Sequence, residues 1–112
     1  MSEPIAAVVV RVATPGFPAF QLRKGEEGLS VFDPAGVEPP LTEEEVLDAF
    51  RPGSVIHYRT VAQVTALGLE VVPILGAEAL PERLRAAHRE IRPGAGMARG
   101  AFKAKLKELE ES

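Results

Sequence analysis

The stretch Ile5 to Val12 reads IAAVVVRV, a nearly unbroken β-branched run without polar alternation. Such a run suits a strand covered on both faces, since a strand with one wet face alternates. It is the expected central strand. Thr14-Pro15-Gly16-Phe17-Pro18 then supplies turn chemistry, with Pro presetting one φ and Gly accepting a positive one. Ala19 to Arg23 alternates, Phe20 and Leu22 against Gln21 and Arg23, and Leu29 to Phe32 follows the Gly25 to Gly28 turn. These two segments predict a β-hairpin near a sheet edge.

The first helix is expected to start at Thr42, with Glu45 three residues on to close a capping box and Leu41 to staple onto Val46. Pro52-Gly53 sets its end near Arg51. Glu43, Glu44 and Glu45 fall on the positive end of the helix dipole, which explains the acidic triplet without a metal. Ser54 to Arg59 reads as the next strand. Thr60 and Gln63 repeat the box for a short helix over 61–67, Gly68 takes the left-handed closing position, and Leu69 to Leu75 is the following strand. Residues 60–68 are too short for a usual parallel crossover, which takes about 10 to 12 residues.

Farther on, Leu80, Leu84, Ala87 and Ile91 recur at helical spacing, so Pro81 to Ile91 is expected to be a helix ended by Arg92-Pro93-Gly94. A last helix is expected over 98–110, with Ala98, Phe102, Leu106 and Leu109 as its buried stripe. The pattern predicts one α+β domain spanning 1–112. Its sheet is mixed, mainly antiparallel, with about five strands and four helices, two of them C-terminal.

Composition narrows the chemistry. The 112-residue chain has no cysteine, which removes disulfides, thiolate zinc sites and cysteine nucleophiles. No segment resembles a signal peptide or a membrane span, so a cytoplasmic location is expected. Asn is absent and Arg outnumbers Lys nine to four among ten Pro, a composition that heat adaptation and a GC-rich genome both produce.

Charge is unevenly spread. Residues 79–107 carry eight basic and two acidic groups, whereas residues 1–78 carry five basic and eleven acidic ones. If 81–91 is helical, Arg85, Arg89 and Arg92 project from one side, and Arg99, Lys103 and Lys107 do the same on the last helix. Packed as neighbours, the two helices would offer six cations to an acidic protein or to nucleic acid. A solvated face on two amphipathic helices is the plainer reading. Nucleic acid is the less favoured partner, because a chain with one Tyr and no Trp offers no evident stacking platform and the pI is about 5.4.

Other candidates are sparser. Gly94-Ala95-Gly96-Met97-Ala98-Arg99-Gly100 resembles a dinucleotide loop only loosely, with its third Gly one place late and a helix expected before it where a strand is needed. His57 and Arg59 share one strand face and are pocket candidates, with His57 a potential acid or base. The alternative is a sheet-face His bonded to a neighbour. Ser30 and Ser54 lie outside any nucleophile elbow. Arg23, Ser30, His57 and Glu90 are available for nucleotide chemistry, though no spacing ties them together. No metal site and no cofactor are expected. The function classes left open are a binding or accessory module, a small enzyme or nucleotide-binding protein around His57 and Arg59, and a structural homo-oligomer.

Overall fold

A computed structural model describes residues 7–74 and 79–112. Five strands, β1 (Val8–Ala13), β2 (Leu29–Phe32), β3 (Val55–Thr60), β4 (Glu70–Pro73) and β5 (His88–Arg92), form one sheet in the order β3-β1-β2-β5-β4. Every pairing is antiparallel. Among the described residues four α-helices accompany the sheet: α1 (Glu43–Leu47), α2 (Val61–Ala66), α3 (Glu82–Ala87) and α4 (Arg99–Glu111). The architecture is α+β, with none of the described helices long and apolar enough to cross a membrane.

The β-branched run of β1 does what its pattern requires. Val9 is 1% exposed in a core with Val31, Val64, Ile91, Phe102 and Leu106, while Val10 is 2% exposed in a second core with Phe32, Leu41, Val46, Leu84 and Ala87. Adjacent residues of one strand thus enter opposite cores. One face of the sheet is covered by α2 and α4, the other by α1 and α3. Burying an apolar side chain contributes about 1.5 to 3 kcal/mol, so both faces of β1 resist exposure.

Local signals place the short helices well. Thr60 accepts from the Gln63 amide while the Gln63 side chain accepts from the Thr60 amide, a closed capping box. Gly68 ends the segment at φ 79°. The residues 60–68 carry the chain between the two sheet edges, since β3 and β4 are the outermost strands. At α1, Thr42 caps the Glu45 amide at 3.1 Å as expected, but the helix ends at Leu47 rather than near Arg51. Its exit tightens through the Phe50 amide donating to the Leu47 carbonyl at 3.0 Å.

Two expectations are corrected. Residues 81–91 do not form one helix: α3 stops at Ala87, and His88 to Arg92 become β5. The expected pair of C-terminal helices is therefore α4 alone, preceded by a strand. Tertiary pairing overrides the helical period, because β5 fills the slot between β2 and β4, with Phe32 opposite His88, Leu29 opposite Ile91 and Glu70 opposite Arg92. Ile91 satisfies the helical stripe and the strand core equally, which hid the change. The hairpin of 19–23 with 29–32 is also absent, as 19–23 is not a strand and β2 pairs with β1 and β5. The Glu110 carboxylate accepts from the Ala19 and Phe20 amides, and Arg11 Nε donates to the Ala19 carbonyl at 3.0 Å. Side chains from α4 and β1 thereby satisfy the backbone that a ladder would have used. The strand expected over 69–75 spans Glu70–Pro73, and position 75 lies outside the described residues, as do positions 5 and 6 of the first run.

Candidate functional site

The six cations expected on a helix pair are dispersed. Arg85 lies on α3, on one side of the sheet, whereas Arg99, Lys103 and Lys107 lie on α4, on the other. Arg89 and Arg92 belong to β5, where Arg89 pairs with Asp33 at 3.8 Å and Arg92 with Glu90 at 2.8 Å. Glu90, read from the sequence as a helix carboxylate, is thus a strand residue in an ion pair. Arg99 donates to the carbonyls of Arg23, at 2.9 Å, and Glu26, fastening the start of α4 to the turn before β2. Lys103 and Lys107 border a 370 Å³ groove between α4 and Pro18 to Leu22, in the company of Glu110 and Glu111. The carboxylates offset the lysines, so the groove has no net sign to select a ligand.

His57 and Arg59 do share a face, opposite Arg11 and Val9 of β1. That face is covered. Arg59 stacks over Phe20 with 4.7 Å to the ring centroid and donates to the Leu109 and Glu110 carbonyls at 2.8 and 3.0 Å. It closes the C-terminal end of α4, where orphan carbonyls and the dipole both favour a cation. His57 meets the edge of Phe20 at 6.4 Å between ring centroids. Neither residue lines the cavities described below.

The glycine segment 94–100 does follow a strand, β5, contrary to expectation, and opens α4. Its backbone has a packing role instead: a Cβ on Gly94 would collide with the Gly68 carbonyl, and Gly96 sits at φ 77° in a turn closed by the Met97 amide on the Gly94 carbonyl. With Arg99 committed to carbonyls, the resemblance to a dinucleotide loop does not extend to a phosphate cradle.

The arrangement with the clearest chemistry lies where β1 leaves β2. Their registered pair is Val10 with Phe32. Past it, Arg11 reaches across, with Nη1 donating to the Ser30 carbonyl at 2.8 Å and Nε to Ala19. Burial holds the Arg11 pKa below its usual value; Glu26 partly offsets this and the charge of Arg23 adds to it. A guanidinium stays charged regardless, so the group is an under-compensated cation.

Two open cavities of about 250 Å³ each flank Arg11 and share Val12 and Phe50 as walls. The outer one gathers Arg11, Arg23 and Arg51 with the hydroxyl-bearing Thr14 and Ser54. No carboxylate lines it, and none of its three arginines is ion-paired among the described residues. The inner one is mainly apolar, walled by Phe32, Phe50 and Leu80, with Ser30 and His88 as polar groups.

His88 is 7% exposed, and its Nε2 lies 3.1 Å from Ser30 Oγ. Burial lowers its pKa, so the ring is neutral at pH 7. Nδ1 is buried without a described partner. A buried unpaired N–H is rarer than an under-used acceptor, which favours the proton on Nε2, donating to Ser30. In that tautomer His88 cannot take the serine proton. The pair orients a hydroxyl instead of activating a nucleophile, and Ser30 retains its own proton to donate.

Sequence reasoning singled out Arg23 and Ser30 but not Arg11, Arg51 or the contact of His88 with Ser30. The available signal was Arg11 itself, the lone charge within a β-branched run. Comparison with family models, with curated proteins and with solved structures finds no match for the chain.

Proposed function

We propose that this protein is a ligand-binding module that captures a small anion, a phosphate or carboxylate group, in the cleft of Arg11, Arg23 and Arg51. The observation that carries this reading is three arginines lining one cavity without a carboxylate. Burial depresses the Arg11 pKa, Glu26 only partly offsets this and Arg23 adds to it, and an incoming anion adds the missing counter-charge while gaining charge-assisted bonds. Arginine suits the task because its planar fork grips two oxygens at once. Binding is favoured over hydrolysis because the His88 and Ser30 pair lacks a base in the required tautomer. A cysteine-free chain of this composition suits a cytoplasmic binding protein.

Thermal-shift and calorimetric titration with inorganic phosphate, sulfate, acetate and benzoate tests the proposal. Saturable binding of at least one anion is expected, weakening as salt rises from about 50 to 200 mM. Arg23→Glu and Arg51→Glu, both on exposed side chains, should each weaken it by about tenfold while the unliganded melting temperature stays put. Absence of binding by every anion at low salt, or binding by both variants as tight as by the parent protein, overturns it.

A further inference from the structure

Resting on the anion-binding reading, we infer that the ligand is a phosphate ester of a flat heteroaromatic body: phosphate on the arginines, ring in the inner cavity. The outer cavity supplies most of the charge, through its three arginines. The inner one has Arg11 as its only charged residue among the described residues and is otherwise walled mainly by Phe32, Phe50, Leu80 and Val12. Cavities that hold small organic ligands usually measure about 300 to 1,000 Å³. Each cavity falls short of that alone, but the two adjoin at Arg11, Val12 and Phe50, and the inferred ligand spans both.

The aromatic walls are set for a ring. Phe50 stands at 72° to Phe32 with centroids 6.0 Å apart, and it is 36% exposed at the mouth. A large aromatic left partly exposed beside three arginines that have no ion pair among the described residues offers a face for stacking. Phe17, 69% exposed, adds a second bare ring to the outer cavity.

The polar groups of the inner cavity choose the kind of ring. With the proton on His88 Nε2, Ser30 Oγ accepts it and makes no other hydrogen bond among the described residues, which leaves the hydroxyl proton to donate. Arg11 Nη2 likewise donates to no described group. A ring presenting an acceptor nitrogen or carbonyl oxygen satisfies these donors, whereas a purely hydrocarbon ring leaves them unpaired. A cationic ring finds no carboxylate in either cavity.

The test compares inorganic phosphate, glycerol phosphate, phenyl phosphate and the four common nucleoside monophosphates by calorimetry. Nucleoside monophosphates should bind about tenfold or more tighter than inorganic phosphate and glycerol phosphate, with phenyl phosphate in between. Phe50→Ala should bring the ratio of nucleotide to inorganic phosphate affinity down to about one. Ser30→Ala should reduce the preference for nucleotide over phenyl phosphate, and on nucleotide binding the ring signals of Phe50 and His88 should shift in NMR spectra. Equal affinity for all phosphates, or a gain that survives Phe50→Ala, overturns the inference while the anion-binding reading stands. Absence of binding by any phosphate defeats the inference, and acetate or benzoate binding then decides whether the anion reading survives it.

Discussion

Glu45 grips Arg83 rather than its own helix cap: its carboxylate accepts from Arg83 Nε at 2.6 Å and from Nη2 at 3.2 Å. The sequence offered Glu45 a place in a capping box with Thr42, and tertiary structure uses half of it. The resulting bond ties α1 to α3. Arg83 extends the tie by donating to the Pro39 carbonyl at 2.6 Å.

The Arg83 hydrogen bond holds the Glu45 carboxyl below the usual carboxylate range. A carboxylate depressed in the folded state stabilises above its unfolded pKa, and that stability is lost as pH falls through the folded value. Glu45→Gln should therefore melt below the parent protein at pH 7, and the gap should close in acid below about pH 4. Paired melting curves across that range check it; a gap of constant size would assign the loss to packing rather than to charge.

Arg59 has a side chain only 13% exposed and joins β3 to Phe20 and to the end of α4. Arg59→Ala should cost about 2 to 3 kcal/mol in urea unfolding, because hydrogen bonds to a charged donor contribute about 1.5 to 3 kcal/mol. Arg59→Lys should recover part of this, since it keeps the charge and loses the fork. Full recovery would mean that charge alone closes the helix.

His88 couples stability to pH in the neutral range. Its pKa is lowered by burial, with Glu90 opposing that shift and Arg89 adding to it. The unfolded chain binds the proton more readily, so stability should decline as pH falls from about 6.5 toward the folded value. An NMR titration should place the His88 midpoint below that of a free imidazole. Ser30→Ala leaves Nε2 without its partner and should cost about 1 to 3 kcal/mol.

Gly94 and Gly100 make a contrasting pair. A Cβ at Gly94 strikes backbone, the Gly68 carbonyl oxygen, and Gly94→Ala should destabilise by about 1 to 3 kcal/mol. Gly100 lies in the first turn of α4 with open space around it, so Gly100→Ala should stabilise by up to about 1 kcal/mol. Denaturant midpoints of the two variants should move in opposite directions.

Amino-acid order alone determined whatever depends on nearest neighbours in the chain. The caps at Thr42 and Thr60, the left-handed Gly68 and the apolar stripe of Phe102, Leu106 and Leu109 are satisfied within a turn or two, so short-range chemistry suffices. The uninterrupted run of β1 announced burial on both faces for the same reason. Ala98, exposed at the start of α4, shows that the stripe begins a turn later than its spacing suggests. Tertiary structure decided the rest, because partners distant in sequence compete with local preference. Ile91 fits a helix or a strand, and the open edges of β2 and β4 chose the strand. That choice sent Arg85 and Lys103 to opposite sides of the sheet and set His88 against Ser30, 58 positions away. Arg11, Arg23 and Arg51 are separated in sequence by turns, by β2 and by α1, with no spacing that links them, and only the folded β1 and its neighbouring loops bring them to one cleft.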